Sequence, residues 1–216
     1  MSITKKKYDK TYFENLLHRE LSNSQRNRKR LKEILKHKTS GRLLEIGCGK
    51  GKFLELAAKH FSVEGIDISK YAVNSINATL NVNIKDIEKT GLIPNYYDVI
   101  VIFSTLEHLK KPILTIKKIY SGLKEGGILI GSVPNNFALM RLPNHIIDIL
   151  DQTHCSIYKP NQWHNLFEKT GFKKATFFGE VILTKNTINY VKNNFWRYIS
   201  LNLMFLCKKQ QKLKSP

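Results

Sequence analysis

An α/β fold with a mostly parallel sheet is the architecture this sequence predicts, on three observations. From residue 42 to 134, apolar runs of strand length alternate with stretches of helical periodicity. Some of these runs, such as VIVIF at residues 99–103, are apolar at every position, which suits strands covered on both faces. Three glycines, Gly47, Gly49 and Gly51, stand between the first such run and the helix-like stretch after it.

In order, TYFENLLHRELSNSQRNRKRLKEILKH (residues 11–37) carries leucines and an isoleucine at spacings that share a helical face, and predicts one or two helices before the first strand. RLLEI is a strand, GKFLELAAKHF a helix, VEGIDI a strand, KYAVNSINATL a helix and VNIKDI a short strand. YDVIVIFS is a strand, PILTIKKIYSGL a helix with Pro112 in its first turn, and GGILIGSV a strand after a glycine turn. After Pro134 the rhythm breaks. Residues 134–160 are too long and irregular for an ordinary connection and read as a cap over a binding site, as do residues 184–198. PNQWHNLFEKTGF is a helix with Gly171 just past its end, and KKATFFGEV and ISLNLMFLCKK are strands. KNTINYVKNNFWR reads as a cap element or a helix. One domain spans the chain in this reading, with residues 1–40 as a helical extension.

Composition narrows the function. At 216 residues, 42 % apolar and 25 % charged, the chain can bury a sizeable core. No apolar run reaches the ~18–20 residues of a membrane helix, and the N-terminus lacks the apolar stretch of a secretory signal. Cys48, Cys155 and Cys207 are odd in number and far apart, which argues against disulfides or a zinc cluster and for a reducing cytoplasm. The net charge of +19 has two readings: a polyanionic partner, or a lysine-rich composition with little arginine for base recognition.

The glycines lie in a strand–turn–helix setting, where open α/β sheets bind ligands. A phosphate loop of the GxxxxGK[ST] kind does not fit, and the GxGxxG dinucleotide pattern fails because Lys52 replaces the third glycine. What stands there is Glu45-Ile46-Gly47-Cys48-Gly49-Lys50-Gly51. It resembles motif I, [DE]xGxGxG, of the class I S-adenosylmethionine (AdoMet) dependent methyltransferases. Further stations follow in order: Asp67 ends the second strand, Asp86 and Ile87 follow the third, FSTLEHL follows the fourth, and GLKEGGILIGSVPN matches the fifth. More weakly, DQTHCSIYKPNQWHNLFEKTGF is similar to a segment of the ubiquinone-biosynthesis type.

The resemblance implies a doubly wound, Rossmann-like sheet of seven strands, one of them antiparallel near the C-terminus, with helices on both faces. It implies AdoMet as cofactor, with S-adenosyl-L-homocysteine as product. Glu45 is then near the methionine end of the cofactor, Gly47, Cys48, Gly49 and Gly51 form the loop beneath it, and Asp67 with Ile68 meets the ribose. Asp86 and Ile87 face the adenine, and Phe103, Ser104 and Leu106 line the cleft. Each acid also has a structural alternative: Asp67 as a helix cap, Asp86 as a turn residue, Glu45 as a buried acid. Cys48 reads as a small side chain beneath the turn, and Asp98 as structural.

A hydroxyl acceptor needs a base, and His108 and His154 are the candidates; each has a purely structural alternative. Glu107 with both histidines could also form a metal site, although no metal is expected. Trp163 reads as core. The expected activity is methyl transfer to a small-molecule acceptor, most readily at oxygen, by a monomer or homodimer. An RNA methyltransferase using the basic surface, or a non-catalytic partner of the same fold, are the alternatives.

Overall fold

The computed structural model describes residues 8–15, 20–135, 153–184, 187–191, 200 and 202–211. Two helices come first, α1 (Lys10–Asn15) and α2 (Glu20–Leu35). Strands and helices then alternate: β1 (Arg42–Ile46), α3 (Lys52–Ala57), β2 (Ser62–Asp67), α4 (Lys70–Asn74), β3 (Asn81–Ile84), β4 (Tyr97–Phe103), α5 (Pro112–Gly122) and β5 (Leu123–Pro134). A short 3-10 turn, Leu106–His108, separates β4 from α5. The C-terminal part adds α6 (Pro160–Lys169), β6 (Ala175–Thr184), β7 (Thr187–Val191) and β8 (Asn202–Lys208).

The strands form one sheet in the order β3-β2-β1-β4-β5-β8-β6-β7. β1 to β5 pair parallel, and the chain order reverses between β1 and β4, which opens a crevice at the carboxyl ends of those two strands. β8 is antiparallel to both β5 and β6. The fold class is the expected one, but the sheet has eight strands rather than seven. The additional strand is β7, in the stretch expected as a cap or helix, and it pairs antiparallel with β6. Its residues, TINYV, are β-branched or aromatic at four of five positions. With β6 as partner they form a ladder.

β4 shows why both faces of the sheet are dry. Ile100 and Ile102 point into a core shared with Ile116 and Ile119 of α5 and Trp163 and Phe167 of α6. Val99, Val101 and Phe103 point the other way, toward Leu31 and Ile34 of α2 and Phe53 and Leu54 of α3. Trp163 is buried core, as expected. Asp98 is structural, accepting from the Arg42 backbone N–H at 2.9 Å and from Lys124 Nζ at 2.8 Å. Much of the expected cap, residues 136–152, and residues 185–186 and 192–198 of the second cap lie outside the described residues. Among the described residues no helix is long and apolar enough to cross a membrane.

Candidate active site

The loop after β1 is held from two sides. Gly47 and Cys48 N–H donate to Ile66 O at 2.8 and 3.2 Å, and Gly51 N–H donates to Cys48 O at 2.9 Å. Gly47, Gly49 and Gly51 have φ of 74°, 51° and 72°, values glycine adopts without penalty. They differ in what they leave open. A Cβ on Gly47 would overlap the Thr105 side chain, and one on Gly51 would press on Ile76 at 3.2 Å. At Gly49 the nearest heavy atom would be Phe13 Cε1, at 3.5 Å. Only Gly49 therefore leaves space of the kind a ligand needs; the other two admit neighbouring side chains. Cys48 is buried beneath the turn, and burial pushes its thiol pKa up, which makes it inert.

Asp67, at the end of β2, ties the loop to its neighbour. Its Oδ2 accepts from Gly49 N–H and its Oδ1 from Ser69 N–H, each at 2.8 Å. Burial raises its pKa, and the backbone N–H groups of Ser69, Gly49 and Ile68 oppose that rise. The cap of α4 is Ser69, whose Oγ accepts from Ala72 N–H, so Asp67 is not the helix cap. Ile68 is half-buried beside it. Asp86 organises the turn after β3: its Oδ1 accepts from Glu88 N–H at 3.0 Å and its Oδ2 lies 3.4 Å from Lys89 Nζ.

Three of the expected site residues have buried side chains. Ile87 (5 % exposed) and Leu106 (fully buried) belong to the cluster under α5 and α6, and Phe103 (7 % exposed) to the cluster under α2 and α3. Each is an apolar residue at or shortly after a strand end, where local pattern does not tell pocket from core. Phe103 ends β4 and Ser104 follows it. Ser104 is exposed and held at φ 47°, a strained conformation for a non-glycine residue, by its N–H bond to Ser132 O at 2.9 Å.

Glu45 sits within β1, 4 % exposed, with Oε2 buried and unpartnered. Burial pushes its pKa well up; the Arg30 guanidinium pulls it down, and Asp67 pushes it up further. Arg30 is the residue that sequence reasoning missed. It reaches from α2 across the sheet, its guanidinium carbon 4.1 Å over the Phe103 ring. Its Nη2 donates to Ser132 Oγ at 3.2 Å, its Nη1 to Asn27 Oδ1 at 3.1 Å, and its Nε is buried and unpartnered. The available signal was its register: Asn27, Leu31 and Ile34 form the buried stripe of α2, and Arg30 falls within it.

This donor set fits AdoMet. The methionine end of that molecule is a zwitterion, needing an acceptor for its ammonium and a cation for its carboxylate. Glu45 is a buried acid and Arg30 a half-buried base, each with a buried, unpartnered polar atom. Residues of the N-terminal segment lie over the same loop: Ser69 Oγ donates to Tyr8 O at 2.6 Å, and Phe13 faces Gly49.

The two histidines come together across 46 residues of chain. Their ring centroids are 4.9 Å apart. His108 Nδ1 lies 2.9 Å from Thr153 Oγ1 and 3.2 Å from Thr153 O. Backbone bonds from Cys155 and Ser156 N–H to Glu107 O, and from Ser156 Oγ to Leu109 O, dock residues 153–156 on the turn after β4. Glu107, His108 and His154 present ligand atoms all within 4.8 Å of one another, a grouping that can hold a divalent cation. His164 is a surface residue of α6, 3.2 Å from Glu168.

A glycine loop between β1 and α3, an acid ending β2 and a crevice at the β1/β4 reversal define an AdoMet-dependent methyltransferase, and comparison with known proteins agrees. The family model described as "Methyltransferase domain" matches residues 17–176. The chain belongs to that family, and its cofactor is AdoMet. It is 27 % identical over 177 residues to a ubiquinone biosynthesis O-methyltransferase of Nitrosomonas europaea, covering 74 % of each chain. It is also 27 % identical over 154 residues to a malonyl-[acyl-carrier protein] O-methyltransferase of a Paenibacillus species, covering 62 % of this chain and 56 % of that one. Among solved structures, a SAM-dependent methyltransferase of Archaeoglobus fulgidus superposes with a TM-score of 0.67 at 23 % identity, over 84 % of this chain and 92 % of that one. One from Thermotoga maritima gives 0.71 at 17 % identity, over 93 % and 95 %. These two likenesses are of fold.

Proposed function

We propose that the protein methylates a small-molecule acceptor at oxygen, with His108 and His154 as the proton-handling pair. The observation that carries this is the pairing of the two rings, 4.9 Å apart, beside the end of β4 where Ser104 is exposed. The names of the two curated relatives, both O-methyltransferases, support it.

In this reading Glu45 takes the ammonium of AdoMet, Arg30 its carboxylate, Asp67 the ribose hydroxyls, and Gly49 lets the chain approach closely. Asp86 faces the adenine from the turn after β3. Bound AdoMet supplies an electrophilic methyl group on a sulfonium. One histidine would accept the acceptor's O–H proton as the methyl carbon passes from sulfur to oxygen, with S-adenosylhomocysteine as the leaving group, and the Thr153 hydroxyl and carbonyl fix the His108 ring for that role. Docking of residues 153–156 against the turn limits water, and positioning supplies most of the rate.

The test is methyl transfer from labelled AdoMet to a panel of hydroxylated metabolites and, separately, to bulk tRNA. Turnover of a hydroxylated small molecule that changes little between 50 and 200 mM salt supports the proposal. Turnover of tRNA alone, with a steep loss on adding salt, would replace it with the RNA reading.

The clustering of Glu107, His108 and His154 favours one second reading, in which a divalent cation at these three groups orients the acceptor oxygen. Activity abolished by a chelator and restored by magnesium or zinc would favour it over histidine as the base.

A further inference from the structure

β8, β6 and β7 carry a polar row that the cofactor reading does not use. Asn202, Glu180 and Tyr190 are direct cross-strand partners, so they leave the same face of the sheet. The row below contains Met204 and Phe178, part of the core beneath α2. Glu180 therefore stands two residues, about 7 Å, beyond an apolar floor. Through Asn202 it is level with Pro134, the last residue of β5. That is the carboxyl edge of the parallel strands, where open α/β sheets bind their ligands. α2 covers the row: Arg26 Nε donates to Glu180 Oε1 at 3.0 Å, and Asn202 Nδ2 donates to the same oxygen at 3.2 Å.

Two atoms of this row are buried with no hydrogen-bond partner, Glu180 Oε2 and Tyr190 OH. Glu180 is 3 % exposed. A buried orphan hydroxyl costs stability, and phenylalanine would fill the same space without that cost. The two side chains are directly opposed, with Cβ atoms about 5 Å apart. They are also complementary. A carboxylate oxygen only accepts; a phenol whose pKa burial raises keeps its proton and can donate. One group satisfies both at once: a hydroxyl, which donates to the carboxylate and accepts from the phenol.

We propose that Glu180 Oε2 and Tyr190 OH together bind a neutral hydroxyl group of the methyl acceptor and so determine specificity. The charge balance sets the class. Glu180 is already neutralised by Arg26, so an anion placed here would face the carboxylate, and a cation would face the guanidiniums of Arg26 and Arg30. β5 and β8 lie between β4 and β6, which puts the row about 14 Å from the end of β4. The recognised hydroxyl is therefore remote from the oxygen that is methylated, and the acceptor is an extended molecule. This inference rests on the methyltransferase reading above.

The test uses three probes with one eight-carbon chain: 1-octanol, octanoate and octylamine. Each is titrated into the protein saturated with S-adenosylhomocysteine, for wild type, Tyr190→Phe and Glu180→Gln. Saturable octanol binding is expected, at least tenfold tighter than either charged probe and about tenfold weaker in both variants. Tyr190→Phe should keep its affinity for S-adenosylhomocysteine and melt at the same temperature as wild type or higher. No saturable octanol binding, equal binding of a charged probe, or unchanged octanol affinity in Tyr190→Phe overturns the proposal. So does a fall of several degrees in that variant's melting temperature, which would make the hydroxyl structural. Should Glu180→Gln fail to fold, Tyr190→Phe decides alone. Failure of the wild type to bind S-adenosylhomocysteine would instead sink the methyltransferase reading itself.

Discussion

The Thr105 side chain occupies the space a Cβ on Gly47 would need. The first glycine of the loop is thus required by the turn after β4, one strand away, rather than by a ligand. Gly49, by contrast, is required by its φ: a Cβ there would meet only Phe13, at an ordinary contact distance of 3.5 Å.

Two alanine substitutions separate these roles. Gly47→Ala meets both a positive φ and Thr105, and should cost about 3 kcal/mol of stability. Adding Thr105→Ala should recover part of that loss, leaving the backbone cost of about 1–2 kcal/mol. Gly49→Ala should cost only that backbone term, yet weaken AdoMet at least tenfold. Urea melts and calorimetric titration measure both; equal effects at the two positions would contradict the assignment.

Glu45 links binding to pH. Its folded pKa lies above its unfolded value of about 4.3. Its contribution to stability is therefore fully present below that value and is lost as pH rises through the folded pKa. Glu45→Gln should remove this dependence and raise the melting temperature of the ligand-free protein at neutral pH by about 2–4 °C. The same variant should bind AdoMet at least tenfold more weakly, since an amide carries no charge for the ammonium. A melting temperature that falls would show that the carboxylate is a net structural asset paired with Arg30.

Arg30 should matter to the same ligand. Arg30→Met keeps the apolar contact with Phe103 but removes the half-buried cation, and should cost AdoMet roughly 10–100-fold. S-adenosylhomocysteine carries the same carboxylate and should lose as much. Affinity unchanged for both molecules would remove Arg30 from the carboxylate site.

Asp67→Asn tests the acid that ends β2. The amide presents one NH2 where Gly49 or Ser69 N–H now donates, so one of the two 2.8 Å bonds is lost. Loss of about 1–3 kcal/mol in stability is expected, with AdoMet affinity down at least tenfold. Binding unchanged from wild type would remove Asp67 from the cofactor site.

The histidine pair is tested on the identified acceptor. His108→Asn and His154→Asn should each lower kcat roughly 100-fold while leaving AdoMet affinity within about twofold. A double variant no worse than either single one would show that they act as a unit. Unchanged kcat in the double variant would leave both histidines a structural role.

The sequence by itself determined the parallel half of the sheet and the loop between β1 and α3. Those features are local: apolar runs of strand length, and glycines at the three positive-φ positions of the loop. It also located Glu45 within β1, Asp67 at the end of β2 and Ser104 just past β4, because an apolar run of strand length marks where a strand stops. Only the tertiary structure decided the rest. Ile87, Phe103 and Leu106 read as cofactor-side residues and have buried side chains, because an apolar residue near a strand end is buried or exposed by the helix packed over it. β7 read as a cap and is a strand, because an edge strand forms only once β6 offers its ladder. Arg30, Glu180 and Tyr190 carried no motif. They meet through the register of three strands and the crossing of α2, and such relationships are set by packing between elements distant in sequence.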